Sequence, residues 1–208
     1  MLEAFKHPRV RDLAWVMYSP SMLKDDAPQH SVFTEEDCEL LFDKALDKLY
    51  ELEKNPTPLL SHLERFPSQR VGRYFEILVQ YWLEHLTEFE VIASNLQMHK
   101  GKRTLGEIDF LFSHDNQLIH WETAVKYFIQ LTPDCDEQGY IGPNAADNLA
   151  LKKARLLNIQ LPRSTRENLN HELGTLNGID SIQRQAFFKG WLFYNKPYET
   201  NNNCLSRL

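Results

Sequence analysis

The chain has 208 residues and a formal net charge of −6, with 42% hydrophobic and 25% charged residues; that length supports one domain with a core of its own and argues against two. The acidic balance excludes a protein that coats nucleic acid non-specifically, because phosphate contacts need lysine and arginine in numbers. Cys38, Cys135 and Cys204 are far apart and the histidines scattered, so neither a disulfide framework nor a zinc motif is written in the sequence.

The opening stretch MLEAFKHPRVRDLAW carries charges throughout and does not read as a secretory signal, and no run is apolar enough to span a membrane. The expected location is the cytoplasm, with no membrane partner. Residues 1–33 hold scattered aromatics and read as short helix or coil. Thr34 followed by Asp37 marks a helix start, and Leu40, Leu41, Ala45, Leu46, Leu49 and Leu52 recur at helical spacing to about Lys54. Asn55-Pro56-Thr57-Pro58 then ends the helix.

A second helix is predicted from about Ser68 to Thr87, with Val71, Phe75, Leu78, Val79, Trp82 and Leu86 as its buried stripe. Glu76 lies on the flank of that stripe, where a half-buried carboxylate wants a partner, and Arg73 or Gln80 could supply one. Gly72, one turn earlier, leaves room for a strand or ligand. Val91 to Met98 reads as a first strand. Basic residues then cluster at Lys100-Gly101-Lys102-Arg103, and again at Lys152, Lys153, Arg155, Arg163 and Arg166.

The stretch from Gly106 to Lys126 reads as a β-hairpin. Ile108–Phe112 and Leu118–Val125 flank the polar turn His114-Asp115-Asn116-Gln117. With Asp115 and Asn116 as the turn residues, pairing outward places Asp109 opposite Glu122, and cross-strand partners have Cβ atoms about 4.5–5.5 Å apart. Two like charges so close call for a cation between them. By strand alternation His120, Glu122, Ala124 and Lys126 share one face, the side for chemistry, while Ile119, Trp121, Thr123 and Val125 face core.

Pro133 to Asn144 reads as a loop, Ala145 to Leu161 as a helix, Pro162 to Asp180 as a polar connection and Phe187 to Tyr194 as a strand. If that strand is parallel to the third, the helix is a crossover. No phosphate-cradling glycine loop is present.

This order of elements, with Glu76, Asp109, Glu122 and Lys126, resembles the PD-(D/E)XK nuclease superfamily. The segments RVGRYFEILVQYWL, GEIDFLF, HWETAVKYFIQL and GPNAADNLALKKARLLNIQLP together resemble a bacterial domain-of-unknown-function family within it. The resemblance implies a mixed α/β, restriction-endonuclease-like core: a helix, a mostly antiparallel three-strand meander, a crossover helix and a further strand. Residues 61–200 would form that core, 1–60 a helical extension packed on it and 201–208 a polar tail. Asp109 and Glu122 would be metal ligands, Glu76 an auxiliary acid on the same ion, and Lys126 the residue that positions the attacking water. Gln130 would orient phosphate or Lys126. On the crossover helix the resemblance points to Lys152 for substrate phosphate, whereas helical geometry favours Lys153, and both stay open.

Two departures stand out. The lysine comes four residues after the acid instead of two, with Ala124 in its place, and Ile108 precedes Asp109 where the pattern has proline. His120 reads as a packed or hydrogen-bonded residue. Carboxylates with a lysine suit Mg²⁺ or Mn²⁺ over Zn²⁺. The implied activity is hydrolysis of a phosphodiester in nucleic acid, expected to be DNA. The alternative is an inert nuclease-like binding or scaffold module, or an accessory subunit whose cleft a partner or a second copy, as in a homodimer, completes.

Overall fold

The structure is a computed structural model that describes residues 2–23, 32–132 and 136–194. The proposed polar tail 201–208 lies outside the described residues, as do 133–135 of the expected loop. Among the described residues are six α-helices and a five-stranded, mostly antiparallel sheet. None of those helices is long and apolar enough to cross a membrane.

Helix α1 (Pro8–Tyr18) is followed by α2 (Glu35–Lys54), which starts on a reciprocal cap in which the Thr34 side chain accepts from Asp37 N–H and the Asp37 carboxylate accepts from Thr34 N–H. The prolines expected only to stop α2 also start α3 (Thr57–Arg65). Proline is tolerated in a first turn, where its missing N–H would lack an intrahelical partner anyway. Helix α4 (Val71–Tyr81) widens into a π-turn at Trp82–Leu86.

Strands β1 (Glu90–Lys100), β2 (Arg103–His114) and β3 (Gln117–Gln130) form the meander. The β2–β3 register, from His114↔Gln117 to Phe110↔Trp121, is the one expected from an Asp115-Asn116 turn. Both turn residues have positive φ, 47° and 60°, as a tight hairpin of matching twist requires. The ladder stops at Phe110↔Trp121, and further along the same edge of β3 pairs with the short β4 (Tyr140–Ile141). β2 and β3 therefore fork where Asp109 and Glu122 sit.

The expected helix at 145–161 begins at Leu149, because the Asn148 side chain caps it by accepting from Leu151 N–H. It runs as α5 (Leu149–Arg155), widens into a second π-turn (Leu156–Gln160) and tightens to a 3₁₀ turn (Leu161–Arg163) at Pro162. The polar connection after it contains α6 (Arg166–Leu173), which buries Leu169 alone. β5 (Ser181–Phe193) starts earlier than its aromatic run and pairs parallel with β3 over its whole length.

The sheet is covered on both faces. Trp121, Phe110, Phe112 and Phe187 pack with α1, α2 and α4, whereas Ala124, Phe128 and Phe188 pack with α5. Leu111, Ile108 and Leu118 pack around Leu169 of α6. The face read as chemistry is thus also roofed by helices. Its polar residues sit in a cleft between sheet and α5.

Gly190 on β5 faces Lys126 on β3; a Cβ there would fall on the Lys126 carbonyl oxygen and the Met22 sulfur. Backbone cannot yield as a side-chain tip can. Gly190→Ala is expected to cost at least about 2 kcal/mol by overpacking, read as a lower midpoint in urea unfolding.

Candidate active site

The fork leaves part of the β3 edge without a strand, and the Asp109 carboxylate occupies it. Its Oδ2 accepts from the backbone N–H of Thr123 at 2.7 Å and from the Thr123 hydroxyl at 3.1 Å. No hydrogen bond reaches Oδ1 among the described residues.

Glu122, one residue past the last ladder pair, is fully buried. His120 Nε2 lies 3.0 Å from Glu122 Oε1, and Gln160 Nε2 donates to Oε2. Behind the imidazole, His120 Nδ1 is 2.8 Å from the Ser164 hydroxyl, which accepts from Arg184 Nε at 3.0 Å. Burial holds His120 down to about 3, so its ring is neutral. A neutral ring beside a carboxylate donates through Nε2–H and accepts at Nδ1 from Ser164. Glu122 is therefore fixed by a chain of buried polar groups, and His120 is hydrogen-bonded as its sequence context suggested.

The second π-turn delivers Gln160. In a wider turn side chains step off the α-helical stripe, and Gln160 reaches down from the roof while Leu156 stays in the core. The following turn brings Arg163 to Gly106, where φ is 133° and a Cβ would meet Arg163 Cζ at 2.6 Å. Only glycine lets the guanidinium lie there, with Nη1 donating to the Glu107 carbonyl at 3.1 Å.

The two acids are under-neutralised. Burial, then the charge of Glu122, pushes Asp109 up to about 7. Burial likewise pushes Glu122 up to about 7, against the opposing pull of Arg163, Gln160 and Lys152. Lys152 feels both acids yet makes no direct ion pair with either, and burial lowers it.

The other candidates are placed as follows. Lys153 donates to Glu137 at 2.9 Å, so the helix turns Lys152 toward the acids. Lys126 pairs with Asp147 at 2.9 Å. Glu76 adds to the field on Asp109, but its Oε2 is 2.9 Å from Arg73, which also donates to Asn95. Gln130 is buried beside Tyr140, eight residues beyond Glu122 and so about 26 Å along the strand at a rise of 3.3 Å per residue. It is not brought to the acids.

The profile of a domain-of-unknown-function family, DUF1853, matches residues 11–206. The chain belongs to the DUF1853 family. No curated protein and no solved structure gives a significant match.

Whether this DUF1853 site suits a divalent cation can be judged from its donors. The buried Glu122 and half-buried Asp109 carboxylates, both lacking a direct counter-charge, an Asp109 oxygen without a hydrogen bond, and the buried, unpartnered Oε1 of Gln160 are all hard oxygen donors. They fit such an ion. Asp109, Glu122 and Glu76 do not, however, close into a three-donor cluster with all donor atoms within 4.8 Å.

Gln160, Arg163, Ser164 and Arg184 were not singled out as site residues from sequence. Gln160 ends a π-turn and Arg163 follows it, a change of pitch that 3.6-residue periodicity cannot register. Ser164 and Arg184 act through His120.

The raised acids set a pH dependence. An acid whose folded value exceeds its unfolded one, 3.8 for Asp109 and 4.5 for Glu122, binds its proton more tightly when folded. That contribution is full below about pH 4 and lost as pH rises through 7. In metal-stripped protein these two acids therefore withdraw stability from about pH 4 to 8, while His120, held at about 3 against 6.5 when unfolded, adds stability as pH rises between those two values. Asp109→Asn, whose amide oxygen can still accept from Thr123, should be more stable than wild type at pH 8 by about 1–3 kcal/mol, and the gap should close at pH 4. Urea unfolding at the two pH values measures this.

Proposed function

We propose that this chain is a metal-dependent phosphodiesterase of the PD-(D/E)XK type, with a restriction-endonuclease-like core and DNA as the substrate. The observation that carries the reading is the fork between β2 and β3, where the half-buried Asp109 and the buried Glu122 come close enough to feel one another's charge, with Lys152 in the field of both.

Mg²⁺ or Mn²⁺ held by Asp109 and Glu122 would supply Lewis acidity toward a phosphoryl oxygen and lower the pKa of attacking water. The other parts follow from the chain. Thr123 and the His120–Gln160 pair hold the two carboxylates in fixed orientation, so that little reorganisation accompanies reaction. Lys152 stands where the cation of the motif is wanted, and its ammonium offsets charge that develops on the phosphate. The departure in spacing at Lys126 is thereby supplied from the roof helix. Glu76, tied to Arg73, shapes the field without needing to touch the ion.

A second reading has its own support. Both oxygens of Glu122 are already engaged, by His120 and by Gln160, as in a nuclease-like binding or scaffold module without chemistry, or an accessory subunit completed by a partner or second copy.

The test is cleavage of single-stranded, linear and supercoiled DNA with Mg²⁺ or Mn²⁺. Wild type should cut, and EDTA, Asp109→Asn and Glu122→Gln should abolish cutting. Lys152→Ala should lower the rate by about 10²–10³-fold, the range for removing one transition-state donor, and Lys126→Ala by less than tenfold. Folded wild type that cuts none of these substrates would favour the inert module. Equal loss in both lysine variants would overturn the role given to Lys152.

A further inference from the structure

A second site lies at the other end of α4. His62 on α3 is 1% exposed and its Nε2 is buried with no hydrogen-bond partner. A buried polar atom left unmatched costs about 1–3 kcal/mol, so an unoccupied imidazole nitrogen calls for a reason. Around it stand Glu84 and His85. One donor atom from each of the three residues lies within 4.8 Å of the others.

We infer that His62, Glu84 and His85 form a zinc-binding site that joins α3 to the end of α4.

The π-turn makes the grouping. In a regular α-helix adjacent residues point about 100° apart and do not serve one neighbour; across Trp82–Leu86 the turn is wider, and Glu84 and His85 both come close to His62. The His62 ring is fixed, packed edge-on to Tyr81 and His85 at centroid distances of 5.2 and 5.9 Å. The other two donors are exposed. His85 and Glu84 have side chains 47% and 31% exposed, with His85 Nε2 3.8 Å from Glu84 Oε2. A tetrahedral zinc with bonds of about 2.0–2.1 Å holds its donors about 3.3 Å apart. Rotations of the two exposed side chains close that gap while α3 and α4 stay in place.

Donor chemistry selects the ion. Two imidazoles and one carboxylate are a zinc set, with the fourth position open to water, and they suit Mg²⁺ or Ca²⁺ poorly. Three neighbours compete: Gln80 donates to Glu84 Oε1 at 2.8 Å, an Arg65 guanidinium nitrogen lies 3.5 Å from His62 Nδ1, and the Ile77 backbone carbonyl is within weak hydrogen-bonding reach of the His62 ring, without the alignment of a full bond to Nε2. The first must release one carboxylate oxygen or share it. The second leaves Nε2 as the nitrogen without a partner. The site is separate from the acid pair: neither Asp109 nor Glu122 belongs to the cluster, and Glu84 is eight residues beyond Glu76, the α4 residue whose charge Asp109 feels, about 12 Å along the helix at 1.5 Å per residue.

The experiment is calorimetric titration of EDTA-stripped full-length protein with Zn²⁺, repeated with Co²⁺ for the visible absorption of a tetrahedral site. Wild type should bind a zinc at a site with a tetrahedral Co²⁺ spectrum, and Asp109→Asn should bind it equally well, whatever further ion the acid pair takes. His85→Ala and Glu84→Gln change exposed side chains and should fold normally; His85→Ala should lose at least about 100-fold in affinity, more than is typical for a supporting residue. Wild type that binds zinc no more tightly than His85→Ala would overturn the assignment. So would loss of the zinc in Asp109→Asn, which would put the ion at the acid pair.

Discussion

Two carboxylates, Glu122 buried and Asp109 half-buried, sit at the point where β2 and β3 part, and the surrounding structure depends on that separation. Were the ladder to continue, Asp109 and Glu122 would be neighbours on a closed sheet with their charges pressed together. By ending at Phe110↔Trp121 it lets the Asp109 side chain replace a strand as acceptor for Thr123 N–H, and opens a cleft in the sheet. Irregularities elsewhere in the meander suit this. β1 shifts register against β2, and Asn95 takes a φ of 54°. The cost of desolvating the acids is carried by the large aromatic core on the opposite face, where Trp82, Trp121 and Phe187 pack ring against ring.

The roof over that cleft is a helix that changes pitch twice. α5 brings Lys152 into the field of both acids, its π-turn lowers Gln160 onto Glu122, and the 3₁₀ turn carries Arg163 to Gly106. α4 ends in a π-turn of its own, which gathers Glu84 and His85 beside His62. In both places a helix departs from regular pitch next to a polar cluster. A regular helix would place the same residues on separate faces.

Sequence reading succeeded where one period ruled. The hairpin turn, its register as far as Phe110↔Trp121, most of the α4 stripe and the last strand follow from alternation, turn chemistry and helical spacing; Val71, expected in the buried stripe, is 48% exposed because α4 begins there, beyond the packed part of the helix. Glu76 beside Arg73 was among the partners its flank position allowed. Reading failed where period or local signal changed. Prolines that start α3 look the same in sequence as prolines that end α2, and α6 buries too little apolar surface to leave a stripe. Lys152 and Lys153 could not be separated because α5 is short and its continuation is not α-helical; in the fold Lys153 is tied to Glu137. His62 and His85 look scattered because nothing in the spacing shows that α3 lies against the end of α4.

The central claim is that Asp109 and Glu122 together hold a hard divalent cation. Mn²⁺ binding followed by electron paramagnetic resonance tests it most directly, using His85→Ala protein to remove the histidine cluster and the same protein with Glu122→Gln added. The expected result is one bound Mn²⁺ per chain in the first and none in the second. Equal Mn²⁺ binding by the two, or none by either, would contradict a cation site at the fork.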